Sequence, residues 1–142
     1  MKFLPLLLPV LSILTVQSAR SQAVSLQAVS LQAVSLQERP TGEYYYESTG
    51  ADRPQHVLLR KAGRTVIGVD LQAIGDPVCF RGWLEGDRIV NATWLLPPYQ
   101  PDARLRHTAG VMLDLASYRP VSDRPSESDQ DALRSCMNFF WR

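Results

Sequence analysis

The chain has 142 residues and a formal net charge of +1, with 15 basic side chains, 14 acidic side chains and two cysteines. This near-neutral balance gives no general attraction for nucleic acid or for anionic lipid, so neither is expected as a partner. The residues that follow an unusual N-terminal segment are numerous enough to form one small domain with a modest core.

The N-terminal segment begins with a single lysine and an apolar run from Phe3 to Val16. The run has the length of a signal-peptide hydrophobic region and is shorter than the roughly 20 residues of a membrane-spanning helix. A small-x-small cleavage pattern follows at Ser21-Gln22-Ala23, which we favour over the alternative at Val16-Gln17-Ser18. We therefore predict a signal peptide over residues 1–23, a secreted or periplasmic protein, and no stable membrane insertion after cleavage.

A tandem repeat follows, in which QAVSL occurs three times in succession between Gln22 and Leu36. On an α-helix each copy is rotated by about 140° from the last, and on a strand an odd period sends successive copies to opposite faces. The period therefore suits no packed element. We predict a linker over residues 24–37 and a single folded domain over residues 38–142.

Short apolar runs separated by turn residues predict strands in the body of the chain. Four of these strands lie at residues 42–46, 56–61, 78–84 and 88–96. A further strand alternates Ile67, Val69 and Leu71 on a buried face with Gly68, Asp70 and Gln72, and a last one carries Val111, Leu113 and Leu115. In strand 88–96, Val90, Ala92, Trp94 and Leu96 are expected to share a face. Short turns between neighbouring strands favour antiparallel pairing in a meander.

The pattern changes to a helical period after Pro125. Leu133, Cys136, Met137 and Phe140 follow the i, i+3, i+4, i+7 spacing of one helical face, and Ser126 is the predicted N-cap. This apolar face has to be buried, and a sheet is the only large partner available. The predicted fold class is therefore mainly β: a small antiparallel meander, forming a curled sheet or open barrel, with one C-terminal helix docked on it.

The two cysteines fit this arrangement, since Cys136 lies on the docking face of the helix and Cys79 lies in strand 78–84. In an oxidising compartment we favour a disulfide that joins helix to sheet, with two packed thiols as the main alternative. A nucleophilic cysteine or a zinc ligand is the least favoured interpretation, because the two histidines lie in no recognisable motif.

No catalytic motif was found in the sequence, and no cofactor or metal is predicted. The triplet Asn91-Ala92-Thr93 matches a glycosylation sequon but lies within an alternating strand, so we discount it. Several aromatic side chains are candidates for lining a ligand groove, although packing against the sheet is the simpler interpretation. The groove candidates are Tyr44, Tyr46, Trp83 and Trp94.

The body resembles a group of uncharacterised secreted cyanobacterial proteins. The shared features are a Gly-x-Tyr start at residues 42–44, a Val-x-Gly strand at 66–68, and a Cys-Phe-x-Gly-x-Leu core at 79–84. A terminal Ser-Glu-x-Asp-x-x-x-Leu-x-x-Cys helix at 126–136 completes the resemblance, which covers most of the body and none of the repeat. The chain departs from the group at residues 70–77. The resemblance supports the architecture and implies no activity.

These features favour a secreted or periplasmic module without enzymatic activity, which binds an envelope partner or a small apolar ligand on the concave face of the sheet. A structural or stress-related envelope protein without a specific ligand is the alternative. A small hydrolase is the third and least favoured candidate.

Overall fold

The structure is a computed structural model that describes residues 34–72 and 74–141. The predicted signal peptide and the repeat before Val34 lie outside the described residues. The strands are β1 (Gly42–Ser48), β2 (His56–Ala62), β3 (Thr65–Leu71), β4 (Val78–Glu85), β5 (Arg88–Leu95), β6 (Arg106–Asp114) and β7 (Tyr118–Pro120). The helix α1 spans Glu127–Phe140, and two short 3-10 turns span Leu36–Glu38 and Leu115–Ser117.

The strands form one antiparallel sheet in the order β6-β5-β4-β3-β2-β1-β7. The first six strands follow one another as the predicted meander. β7 was not predicted, because three residues carry too little periodicity to be recognised. The predicted fold class, a curled antiparallel sheet with a C-terminal helix, is confirmed.

The curl of the sheet follows from the connection between its two ends. β6 and β7 are the outermost strands, yet only Leu115–Ser117 separates them along the chain. The four Cα–Cα steps from the end of β6 to the start of β7 span roughly 14 Å at most, which is well short of the width of a flat seven-stranded sheet whose strands lie about 4.8 Å apart. The sheet therefore curls until its ends approach, and its two faces become an inner and an outer face.

The inner face is a continuous apolar core to which strands from both ends of the sheet contribute. Its buried members are Leu36, Tyr46, Val57, Leu59, Val66, Phe80, Leu84, Ile89 and Leu115. Gly68 makes room for this packing. A Cβ atom built there would lie 2.6 Å from Cζ of Phe80 and 2.8 Å from Cβ of Leu59, so the ring of Phe80 occupies the space above this glycine.

The outer face carries the helix, which packs mainly against β3 and also contacts β2 and β4. Leu133 and Cys136 are buried there among Leu58, Ile67, Val69, Cys79 and Leu95. Ser126 is the N-cap, as predicted, and its Oγ accepts a hydrogen bond from the Asp129 N–H at 3.1 Å. The predicted disulfide is confirmed: Cys79 is bonded to Cys136, and their Cα atoms lie 5.5 Å apart.

Two predicted strand faces differ from the structure. β3 was expected to bury one face, but Val66 and Val69, on opposite faces, are both fully buried because the curled sheet encloses its inner side as well. In β5 the pairing register shifts between Val90 and Ala92, where Asn91 adopts a φ of 50°. This bulge breaks the alternation: Val90 pairs with Trp83 on the outer face, whereas Trp94 pairs with Phe80 on the inner face. The predicted common face of Val90, Ala92, Trp94 and Leu96 is therefore wrong.

The predicted boundary between linker and domain, after residue 37, is also wrong. Leu36 has no exposed surface and belongs to the inner core. Its backbone N–H donates to Oδ1 of Asp87 at 2.7 Å, and the Gln37 N–H donates to the Gly86 carbonyl at 3.1 Å. A five-residue period prevents three copies from packing together on one face, but it does not prevent a single copy from packing alone.

Candidate functional site

The four predicted groove residues do not form a single groove. Tyr44, Tyr46 and Trp94 lie on the inner face, because their ladder partners are the inner-core residues Leu59, Val57 and Phe80 respectively. Trp83 lies on the outer face: it pairs with Thr65 in β3, two positions from Ile67 of the outer core. Successive residues of a strand point to opposite faces, which separates Trp83 from the other three.

The inner face is filled with side chains over most of its area. Leu36 and Leu115 enter the core from outside the strands and are buried there with Phe80. A pocket of about 220 Å³ lies at one end of the inner face. Its lining consists of Asp70, Gln72, Val78, Trp94, Thr108, Val111 and Met112. This volume is below the roughly 300–1,000 Å³ of typical small-molecule sites.

This inner pocket contains the carboxyl group of Asp70. Its Oδ1 is buried and has no hydrogen-bond partner among the described residues. Burial disfavours the ionised form and raises the pKa of Asp70 above its ordinary value. Burial also raises the pKa of Tyr118, with the charge of Asp70 as a second cause. The strand alternation predicted Asp70 on the face opposite Ile67, Val69 and Leu71, and the curl of the sheet encloses that face.

Trp94 is held firmly at the edge of the inner pocket. Its Nε1–H donates to Oγ1 of Thr108 at 3.0 Å, and the Arg106 guanidinium lies 5.1 Å from the centre of its ring. Both partners belong to β6, the strand next to β5. The indole N–H thus has a hydrogen-bond acceptor, and the ring face makes a cation–π contact with the guanidinium. Trp94 therefore has a structural role in joining β5 to β6.

A larger cleft lies on the outer face, on the part of β4, β5 and β6 that the helix leaves uncovered. It has a volume of about 500 Å³ and is lined by Arg81, Gly82, Trp83, Asn91, Thr93, Leu105, His107 and Phe140. Trp83 is 49% exposed and Leu105 is 52% exposed. We call these residues the outer cleft. Leu105 and Phe140 were not predicted as site residues, because no local pattern indicates that they line the same cleft as Trp83.

A second surface groove, of about 550 Å³, runs between α1 and the loop that contains Pro97 and Pro98. Tyr99 fixes this loop, since its hydroxyl donates to the Pro77 carbonyl at 2.8 Å. Burial, together with the nearby charge of Asp76, raises the pKa of Tyr99 to about 12, so the hydroxyl stays protonated and remains a donor. Small and polar side chains of the helix border the groove on one side, and prolines and Tyr99 border it on the other.

The two histidines of the described residues lie in different parts of the sheet. His56 lies 3.4 Å from Glu47 and stacks on Tyr45, with 5.4 Å between ring centres, whereas His107 lines the outer cleft. Among residues 34–72 and 74–141, no group of three or more histidine, cysteine or acidic side chains is placed to hold a metal ion. Within the same residues, no helix is long and apolar enough to cross a membrane.

Comparison of the chain with protein-family models, with curated proteins and with solved structures finds no match. The assignment of a function therefore rests on the residues and geometry described above.

Proposed function

We propose that this protein is a secreted or periplasmic binding module without enzymatic activity, and that an envelope protein binds to its outer cleft. The observation that carries the proposal is the exposure of Trp83 beside Leu105 in a concave surface that the helix does not cover. Large aromatic side chains in such positions are enriched at protein interfaces and often dominate their binding energy. The concave inner face, where the sequence suggested a ligand, is occupied by the protein's own side chains.

The chemistry of the outer cleft favours a protein over a small apolar molecule. An apolar ligand needs a site that encloses most of its surface, and the outer cleft is open to solvent along β6. The cleft combines the apolar side chains of Trp83, Leu105 and Phe140 with the polar side chains of Arg81, Asn91 and His107. Protein–protein interfaces commonly combine apolar and polar groups, with aromatic residues and arginine enriched among them.

Export to the envelope is supported by three features: the apolar leader, the disulfide between Cys79 and Cys136, and the resemblance to secreted proteins. The intact mass of the protein made by its own host tests this part of the proposal. We expect a chain that begins at or near Val24. A mass that still includes Met1 would contradict export by a cleaved signal peptide.

Site-specific photocrosslinking tests the binding surface. A photoreactive amino acid at Leu105 in the chain produced by its host is expected to give one discrete crosslinked species. The same amino acid at Ile74, which is 75% exposed in a loop away from the outer cleft, is the matched control. A second change, Trp83→Ser, is expected to remove the Leu105 crosslink. Equal crosslinking from both positions, or crosslinking that survives W83S, would contradict the proposal.

The alternative is a structural or stress-related envelope protein that has no specific ligand. The filled inner core favours this alternative over a lipocalin-like carrier of small molecules. Absence of any crosslink from Leu105, in protein that is correctly exported and folded, would support it. A hydrolase is least favoured, because no histidine or cysteine among the described residues lines the inner pocket beside Asp70.

A further inference from the structure

The docked end of the repeat occupies a small binding socket. The socket consists of the inner core, which receives the Leu36 side chain, and of the turn residues Gly86 and Asp87. Asp87 accepts a hydrogen bond from the Leu36 N–H at 2.7 Å. Gly86 exchanges two hydrogen bonds with Gln37: its carbonyl accepts from the Gln37 N–H at 3.1 Å, and its N–H donates to Oε1 of Gln37 at 2.7 Å. Recognition therefore uses a leucine side chain, a glutamine amide and the intervening backbone.

The residues that fill the socket are repeated in the sequence. Ser35-Leu36-Gln37 is preceded by identical tripeptides at residues 30–32 and 25–27. Each copy therefore contains every chemical group that Leu36 and Gln37 use in the socket. The two residues after the docked tripeptide, Glu38 and Arg39, are replaced by alanine and valine after the earlier copies.

The contacts made by Glu38 and Arg39 side chains are exposed and few. Ser35 Oγ lies 3.2 Å from Oε2 of Glu38, and the Arg39 guanidinium lies 5.9 Å from the centre of the Tyr44 ring. The buried contact in this region uses the backbone instead: Lys61, 4% exposed, donates to the Arg39 carbonyl at 2.7 Å. If the tripeptide at 30–32 were docked, the carbonyl of Val34 would have the equivalent position. Buried polar contacts can thus be preserved with an earlier copy.

The connection to the sheet tolerates such an exchange. Only Pro40 and Thr41 separate Arg39 from the start of β1 at Gly42. Docking of the copy at 30–32 adds five residues to this connection. The entropic cost of closing a loop rises only with the logarithm of its length, so five more residues cost little free energy. This cost is smaller than the loss of stability that an empty socket would cause.

We propose that the socket is a binding site for Ser-Leu-Gln segments, and that Ser30-Leu31-Gln32 of the same chain occupies it when Leu36 is lost. The copies are then interchangeable, and a five-residue period that suits neither helix nor strand is tolerated because the fold uses one tripeptide at a time. This inference concerns the inner core and is independent of the function proposed for the outer cleft.

Leucine substitutions in the full chain, as its host produces it, test the exchange. We expect Leu31→Ala alone to leave the melting temperature unchanged, and Leu36→Ala alone to lower it by about 5 °C. The triple variant L26A/L31A/L36A is expected to melt at least about 10 °C below L36A, or to be unfolded, because no leucine remains to fill the socket. Equal melting of L36A and the triple variant, or unfolding of both, would overturn the proposal.

Two further measurements identify the occupant. The melting temperature of L36A should not depend on protein concentration. A rise with concentration, accompanied by dimers in size-exclusion chromatography, would show that a second molecule supplies the tripeptide. That result would overturn the same-chain assignment.

The acetylated peptide AVSLQAV, at millimolar concentration, should raise the melting temperature of the triple variant or restore its folding. The control peptide AVSAQAV should not. No response to AVSLQAV would overturn the recognition of Ser-Leu-Gln by the socket.

Discussion

Asp87 accepts a hydrogen bond from the backbone N–H of Leu36 on its side-chain Oδ1, at 2.7 Å. The main-chain carbonyl of the same residue accepts from the Leu115 N–H at 3.0 Å. Leu36 and Leu115 are the two inner-core residues supplied by 3-10 turns, and both are buried. The β4–β5 turn thus positions the two segments that complete the inner core, although they are far apart in sequence.

Replacement of Asp87 tests this role. In Asp87→Ala the partly buried N–H of Leu36 loses its acceptor, and we expect the free energy of unfolding to fall by about 1–2 kcal/mol. Asp87→Asn retains a side-chain oxygen and should lose less than half as much. Urea denaturation of the two variants and the wild type provides the measurement. If D87A were as stable as the wild type, the hydrogen bond would not hold Leu36 in place.

Replacement of Gly68 by alanine tests the packing of the inner core. The new Cβ would lie 2.6 Å from Cζ of Phe80 and 3.0 Å from the Leu58 carbonyl oxygen, and overpacking of this kind costs about 1–3 kcal/mol. The matched control is Gly42→Ala, where the nearest atom is 3.9 Å away and a change within about 0.5 kcal/mol is expected. Adding Phe80→Leu to G68A should cost less than the sum of the single changes. Thermal denaturation decides between this result and simple additivity.

The disulfide prediction compares single and double cysteine variants. Cys79 and Cys136 are 57 positions apart in the sequence, and closing a loop of that length stabilises a domain by on the order of 4 kcal/mol in the chain-entropy description. Either single alanine variant loses the bridge completely, so C79A, C136A and the double variant should unfold at similar denaturant concentrations. Thiol counting under denaturing, non-reducing conditions should give zero for the wild type. Additive losses in the single variants would instead indicate two packed thiols.

The Asp70 carboxyl predicts a pH-dependent stability difference. Burial raises its pKa in the folded state above 3.8, so the folded domain binds this proton more tightly than the unfolded chain does. Ionisation therefore destabilises the wild type as the pH rises through the folded-state pKa. Asp70→Asn, which has no charge to bury, is expected to raise the melting temperature by a few degrees at neutral pH, where ~1 kcal/mol corresponds to about 4–8 °C.

The advantage of D70N should shrink as the pH falls through the folded-state pKa of Asp70 and be absent below about 3.8, where the carboxyl is protonated in both states. Melting curves of both proteins between pH 3 and pH 8 provide the measurement. Asp123→Asn, at an exposed position, is the control and should show no such dependence. A constant difference between D70N and the wild type at all pH values would show that the charge of Asp70 is not its cause.

Much of the fold was predictable because local patterns carry it. The alternation in strands, the glycine turn after Glu85 and the helical spacing of Leu133 and Cys136 each depend on neighbours within a few residues. The disulfide was predictable because the chain has only two cysteines and both fall on apolar positions of docking elements. The aromatic groove candidates were recognised by their residue type, but the sequence did not show which of them lie on the same face of the sheet.

Only the tertiary structure decided which residues meet. The bulge at Asn91 changes the faces of β5, and the curl of the sheet encloses Asp70, which the strand pattern placed on a polar face. The end of α1 on the outer face leaves Trp83 exposed beside Leu105. Burial of Leu36 depends on the turn that contains Asp87, 51 positions later in the chain, and nothing in the repeat itself indicates it.

The sequence by itself determined the strands, the helix, the covalent link between them and the antiparallel order of the meander, because each depends on local periodicity, short turns or the count of cysteines. The tertiary structure alone decided the inner and outer faces, the filling of the core by Leu36 and Leu115, and the position of the outer cleft. These features depend on how far a sheet curls before its ends meet, which is set by the summed packing of side chains distant in sequence.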